Sequence, residues 1–273
     1  MWTWLGPISY AEALALQRSM WQARYRGEIP DWLLLLEHVP PVVTFGRDGG
    51  AENLKIPPHV LKERGVEVYE AERGGNVTYH GPGQIVGYAI IDLREHGRDI
   101  LKFLRAVEES LISVLAKLGI AGHVDPEHPG VWVDVDGKPS KIAAVGISIR
   151  RWVTMHGFSL NVTTDEEDFD PIIPCGIRDR GVTSVAALIG RDVPSRTLSP
   201  AVPRAASRRA ASSPVSRTDS PSPSDPRLLS LEALGASIAC ELARYLSLTP
   251  RKARPQEVRL SIPEAGEESL AAR

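Results

Sequence analysis

The amino-acid sequence predicts an α+β fold: a single domain with a mixed or antiparallel sheet flanked by helices. Three observations lead there. Residues 131–135 and 141–149 flank Asp136-Gly137-Lys138-Pro139-Ser140, a hairpin signal, and residues 153–162 follow across an Arg150-Arg151 corner. Helical periodicity is confined to other parts of the chain, most clearly residues 99–118. Strands in hairpin succession with helices segregated elsewhere define the α+β class.

In chain order, Ala13, Leu16, Met20 and Ala23 recur at helical spacing and predict an amphipathic first helix over residues 10–25. The run Trp32-Leu-Leu-Leu-Leu36 is too short for a buried helix and reads as a core strand. Val42-Val-Thr-Phe-Gly46 reads as another after Pro40-Pro41. Residues 57–64 predict a short helix ending at Gly65, and Val66-Glu-Val-Tyr69 alternates as a strand does. A glycine-rich loop follows, then a strand over residues 85–93. In the helix over 99–118 the apolar positions are Ile100, Leu101, Leu104, Val107, Leu111, Val114, Leu115 and Leu118, with Asp99 near its start and Gly119 past its end. Residues 195–226, rich in Ser, Pro, Arg and Ala, lack apolar periodicity. They predict a disordered insertion, because such a composition buries too little surface to offset its ordering entropy. The domain organisation expected is therefore a catalytic domain over 1–194, that insertion, a last amphipathic helix of the same domain within 227–250, and a polar tail over 251–273.

Composition narrows the function classes. A formal net charge of −2 offers no global electrostatic argument for nucleic acid. Two cysteines, Cys175 and Cys240, build neither a disulfide framework nor a four-thiolate zinc site. No apolar run approaches the ~20 residues that cross a bilayer, and the first residues lack the pattern of a secretory signal. The expectation is a soluble cytoplasmic protein.

The chain's chemistry concentrates in a few stretches. Arg-Gly-Gly-Asn-Val-Thr-Tyr-His-Gly-Pro-Gly-Gln over 73–84 precedes the apolar run Ile85-Val-Gly-Tyr-Ala-Ile-Ile91. Glycines let a ligand approach the backbone closely, while Arg73, Tyr79, His80 and Gln84 supply polar groups that a plain turn does not need. This reads as a substrate-lining loop. Cys175 lies in Asp-Pro-Ile-Ile-Pro-Cys-Gly-Ile-Arg over 170–178, where two prolines and a glycine suit a rigid, irregular segment that presents a thiol. A small buried hydrophobe is the other reading of a lone cysteine. For Cys240, inside the last helix, packing is the favoured role. A nucleophilic thiol needs a base or a positive neighbour. The candidates are His80, His123, His128, His156, Lys138 and Lys141. Lys141 opens the small-residue strand Lys-Ile-Ala-Ala-Val-Gly, where partial desolvation would make it a usable base. A solvated lysine at a hairpin end is the favoured reading for Lys138 and, from these residues alone, stays the other reading of Lys141. His80 reads first as a group fixing the loop, with substrate orientation as its alternative, and His156 as structural.

Four motifs occur in order: Arg73 to Gln84, Lys-Ile-Ala-Ala-Val-Gly from Lys141, His-Gly-Phe-Ser-Leu-Asn-Val from His156, and Pro-Cys-Gly-Ile from Pro174. Together, with Val182-Thr-Ser-Val185 after them, they make the chain resemble the lipoyl(octanoyl) transferase family of lipoic acid biosynthesis over about residues 5–194. The resemblance implies a fold shared with lipoate–protein ligases and biotin ligases. It implies an octanoyl group moved from octanoyl-acyl carrier protein to a lysine of lipoyl domains. The acceptors would be those of 2-oxoacid dehydrogenases and the glycine cleavage H protein. By the same resemblance Cys175 is acylated and Lys141 favours its thiolate. Arg73, Gly74, Gly75, Asn76, Val77, Thr78, Tyr79 and His80, then Ala144, Val145 and Gly146, then Gly157, Phe158 and Ser159, line the acyl pocket. The enzyme is expected to be a monomer, with no cofactor, metal, nucleic acid or membrane.

That chemistry suits the residues. Exchange of one thioester for another is close to energy-neutral and needs no ATP, and the sequence holds no Gly-x-x-x-x-Gly-Lys-Ser/Thr loop. Lys141 would take the thiol proton, and backbone N–H groups near Cys175 and Gly176 would hold the oxyanion. The rival expectations are an ATP-dependent lipoate–protein ligase on the same fold, a non-catalytic domain that binds carrier proteins, and a cysteine hydrolase. The insertion over 195–226 and the tail depart from the family pattern without touching its motifs.

Overall fold

The computed structural model describes residues 1–177, 179–189 and 230–260. The insertion expected over 195–226 lies outside them. The elements in chain order are β1 (Trp2–Ile8), α1 (Tyr10–Tyr25), β2 (Trp32–His38), β3 (Val42–Phe45), α2 (Pro58–Glu63), β4 (Glu67–Glu70), β5 (Val77–His80), β6 (Gln84–Ile90), α3 (Ile100–Lys117), β7 (His123–Val124), β8 (Gly130–Val135), β9 (Lys138–Arg150), β10 (Val153–Asn161), β11 (Gly181–Val182), α4 (Val185–Leu188), α5 (Leu231–Tyr245) and α6 (Pro255–Leu260).

The larger sheet has eight strands in the order β1-β2-β6-β10-β9-β8-β7, with β11 beside β9. It is mixed: β1 runs parallel to β2 and β11 parallel to β9, and its other pairs are antiparallel. A second sheet of three strands, β4-β3-β5, carries the glycine-rich segment. Central strands β2, β6 and β10 are buried along their whole length, which explains why they read as near-continuous apolar runs rather than alternations. One face packs on α3 and α5 through Phe103, Val107, Leu111, Leu234 and Ile238; the other packs on α1 through Ala13, Met20 and Ala23. Ser9 and Glu12 form a capping box on α1, and Asp99 caps α3, so each helix begins where a side chain satisfies its orphan N–H groups. The hairpin predicted over residues 136–140 forms with a tighter turn, Asp136 and Gly137 both at positive φ and β9 beginning already at Lys138. The corner predicted at Arg150-Arg151 lies one residue on, at Arg151-Trp152, again with both residues at positive φ, the geometry of two-residue hairpin turns.

Three features differ from the sequence reading. Trp2–Ile8, to which the sequence reading assigned no element, is a strand fixed by parallel pairing to β2. The segment read wholly as a loop contains β5, whose four residues pair antiparallel with β3. The polar tail is folded at its beginning. Trp2 N–H donates to Arg251 O at 2.9 Å, Ala253 N–H donates to Trp2 O at 2.8 Å, and Ala253 and Val258 are buried against α1's core. Two apolar residues in a charged stretch give too short a pattern to announce that contact. Among the described residues no helix is long and apolar enough to cross a membrane.

Candidate active site

Lys141 and Cys175, 34 residues apart in sequence, meet: Lys141 Nζ lies 3.2 Å from Cys175 Sγ. A β-bulge aims the amine. Trp132 pairs with Lys141 while the preceding Val131 pairs with Ala143, so β9 holds one surplus residue, Ile142, against β8. Paired residues share a face of a sheet. Val131 and Ala143 both belong to the core under α3 and α5, so the surplus residue turns Lys141 to the opposite face with Trp132. Bulges commonly re-aim side chains beside active sites. There the amine sits 4.6 Å from the centroid of the Trp132 ring and donates to Pro129 O at 3.1 Å. At 7% exposure, Lys141 is as buried as a core residue, unlike the exposed Lys138. Pro129 is itself fixed from behind, because the Gly130 N–H donates to the buried Glu108 of α3 at 2.9 Å.

Cys175 sits at φ +56° in the 3₁₀ turn Pro174–Gly176. A non-glycine residue in this region carries about 1–2 kcal/mol of strain, which the surrounding prolines and turn hydrogen bonds must hold. The thiol is half-buried and free. Those same hydrogen bonds narrow one expectation: Gly176 N–H donates to Ile173 O at 2.9 Å and Ile177 N–H to Pro174 O at 3.0 Å, so of the backbone donors near Cys175 these two are not available to an oxyanion. Cys240 is exposed on α5 rather than packed, because the buried stripe of that helix passes through Ile238, Ala239 and Leu242.

The thiol and amine open onto a cavity of about 450 Å³, within the range typical of small-molecule sites. Its walls include Arg73 to Thr78, His80, Ala144 to Gly146 and Gly157 to Ser159, as the sequence placed them. Tyr79 is the exception. Alternation along β5 sends Thr78 and His80 into the cavity and Tyr79 away from it, onto Phe169 with ring centroids 5.4 Å apart. Thr44, Tyr10, Val86, Tyr88, Pro129 and His156 also line it, which the sequence reading did not assign. They come from elements whose apolar or ordinary strand pattern carries no signal of a ligand. Gly157 is required by the crossing strands: a Cβ there would stand 2.2 Å from Gly87 O.

The Arg73 guanidinium is buried and held by the fold, donating to Thr44 O at 2.7 Å, Thr44 Oγ1 at 2.8 Å and Gly74 O at 3.1 Å. Burial lowers its pKa from the ordinary value. Gly74 N–H donates to Ile147 O at 3.0 Å and docks the loop on β9. His80 makes the loop-fixing bond that its sequence allowed, from a place in the cavity wall: its Nδ1–H donates to Gln84 Oε1 at 2.7 Å. The tautomer follows from the amide, because Gln84 Nε2 donates to Asn161 Oδ1 at 2.9 Å and to Tyr79 O at 3.3 Å. Asn161 Nδ2 then donates to Thr183 O at 2.9 Å, and Thr183 N–H to Lys141 O at 3.0 Å. A buried polar chain thus runs from the cavity wall to the strand that bears the amine. Burial, with His38 and Arg73 nearby, pushes the His80 pKa down to about 3. Burial likewise lowers His38 to about 4, and burial with Arg73 nearby lowers His156 to about 4. At neutral pH the wall is uncharged at His80 and His156, and so is His38 behind it, against His80 and Tyr88.

Comparison with known proteins agrees with this geometry. The profile of the lipoyl protein ligase A/B catalytic domain matches residues 9–206. An octanoyltransferase of Caldicellulosiruptor bescii is 49% identical over 192 residues, covering 70% of this chain and 82% of the relative. One of Geobacter metallireducens is 47% identical over 190 residues, covering 70% and 84%. Among solved structures, a lipoate-protein ligase A bound with ATP superposes with a TM-score of 0.62 at 15% identity, over 96% of this chain and 91% of that one. A bipartite lipoate protein ligase from Thermoplasma acidophilum gives 0.60 at 14%, over 96% and 89%. At such identities the structures speak to the fold alone.

Proposed function

The chain belongs to the lipoyl protein ligase A/B catalytic-domain family, and from that premise we propose that it transfers octanoyl groups through an acyl-cysteine thioester on Cys175. It is an acyltransferase of lipoate biosynthesis, like its octanoyltransferase relatives. The donor in this reading is an octanoyl-acyl carrier protein and the acceptor a lysine of a lipoyl domain.

The observation that carries the reading is the 3.2 Å contact between Lys141 Nζ and Cys175 Sγ at the edge of the cavity. That distance lets one proton pass between sulfur and nitrogen without a water. With the proton on Lys141, the thiolate attacks the donor thioester. The new C–Sγ bond replaces the old C–S bond, and the departing carrier thiolate takes the proton back from Lys141. In the second half the acceptor amine attacks the acyl-enzyme, its surplus proton goes to the now neutral Lys141, and Cys175 leaves as thiolate. The octanoyl chain occupies the cavity beside Ala144, Gly146 and Gly157, where burial contributes about 0.8 kcal/mol per methylene.

Intact-mass measurement after mixing with octanoyl-acyl carrier protein tests this. The expected result is an adduct of about 126 Da, an octanoyl group gained by thiol acylation, formed by the native protein and by Cys240→Ser and absent from Cys175→Ser. An unmodified Cys175, with acceptor labelling that requires lipoate and ATP, would assign the protein to the ligases instead.

A further inference from the structure

Each half-reaction of the proposed cycle passes through a tetrahedral carbon bearing an oxyanion, and such a centre needs N–H donors that the fold has not already used. The turn after the nucleophile consumes its own: the Gly176 and Ile177 N–H groups bond back to Ile173 O and Pro174 O. Besides Lys141, which faces the thiol, a side-chain donor beside that turn is the Asn76 amide. Its Oδ1 accepts the Val77 N–H at 2.6 Å, which fixes which end of the amide is nitrogen. Its Nδ2 donates one hydrogen to Asp48 O at 2.8 Å. Asp48 is anchored in turn, its N–H donating to Gly75 O and its Oδ2 accepting the Gly75 N–H, both at 3.1 Å. An amide nitrogen carries two hydrogens, and among the described residues the second has no acceptor. The nitrogen stands directly over the residue that follows the nucleophile: a Cβ on Gly176 would lie 3.1 Å from Asn76 Nδ2. Asn76 and Cys175 both line the cavity.

We propose that Asn76 is the side-chain oxyanion donor of this enzyme, giving its second Nδ2 hydrogen to the carbonyl oxygen while that oxygen is negatively charged. As Sγ bonds to the thioester carbon, the carbonyl π pair moves onto oxygen and is met by the amide. On collapse the pair re-forms the carbonyl and the C–S bond to the carrier breaks. The same donor serves when the acceptor nitrogen attacks and the C–Sγ bond breaks. Glycine at 176 follows from this: with no Cβ, it leaves the amide room to face the reacting centre.

The role rests on Cys175 being acylated, and the test separates the two claims. Asn76→Ala removes the donor, and Asn76→Ser keeps a local acceptor for Val77 N–H while its hydroxyl is too short to reach. For each variant two rates at Cys175 are compared: acyl-enzyme formation from an octanoyl thioester, followed by mass, and alkylation by iodoacetamide at the same pH. Alkylation displaces iodide at a saturated carbon and makes no oxyanion. The expected result is a fall of ~10²-fold or more in acylation, the loss seen when one oxyanion donor is removed, with alkylation within about twofold of the native rate. Acylation within a few-fold of native in both variants, or alkylation falling in parallel with it, overturns the assignment. A native protein that alkylates but forms no octanoyl adduct would instead remove the acyl-cysteine reading beneath it.

Discussion

The three neutral histidines around the cavity make stability depend on pH in a calculable way. His38, His80 and His156 have folded pKa values of about 4, 3 and 4, against an ordinary value of 6.5. The unfolded chain therefore binds more protons than the folded one between about pH 6.5 and pH 3, and stability falls as pH falls through that window. From pH 8 to pH 5 each histidine removes about 2 kcal/mol by linkage, and the three together about 6 kcal/mol. This is comparable with the whole stability of many domains. Glu37, whose carboxyl burial raises, acts in the opposite sense as a single group. Urea unfolding followed by tryptophan fluorescence at pH 8, 6.5, 5.5 and 5, at constant ionic strength, measures the slope. His156→Gln should flatten it by roughly one third. A free energy of unfolding that holds constant from pH 8 to pH 5 would show that the folded protein accommodates these protons, and the account of an uncharged wall would be wrong.

Lys141→Met keeps the buried stem and removes the amine; the protein should fold, alkylate at Cys175 about tenfold more slowly at pH 7, and transfer octanoyl 10² to 10⁴ times more slowly, the usual worth of a general base. Native alkylation and transfer rates in that variant would leave Lys141 with only its contacts to Pro129 and the Trp132 ring. Gly157→Ala should cost roughly 3 kcal/mol in urea unfolding or prevent folding, since the new methyl meets a backbone oxygen rather than a movable side chain. A native midpoint would mean that β6 and β10 separate more easily than their register suggests.

Much of the fold was legible because its signals are local. The eight apolar positions of α3, the Asp136-Gly137 turn and the unbroken apolar runs of β2 and β6 each declare themselves within a short window. β1 was not legible because Gly6-Pro7 interrupts it and its partner lies 31 residues on, as Trp2 opposite Leu33. Tyr79 was misplaced for lack of a register: until β5 is known to be a strand, nothing says that neighbours in the loop face opposite ways. At the site, Cys175 and the four motifs were visible, and their order carried the family resemblance. What the chain could not show was the occupancy of the backbone donors. Whether Gly176 N–H is free depends on the handedness of a turn at Cys175, and the answer moves attention from the main chain to the amide of Asn76.

The surplus residue in β9 makes the position of the amine a matter of parity. Lys141 and Ala144 are three apart yet serve one side of the sheet, which an unbroken strand would forbid. Removing Ile142 would restore plain alternation with Lys141 still opposite Trp132, whereas keeping it but pairing it with Trp132 would send the ammonium, opposite Val133, to the oily layer under α3. A relative without the bulge keeps the chemistry only if its lysine directly precedes the residue matching Ala143. Equivalence among relatives is better judged by which side of the sheet a residue occupies than by its column in an alignment.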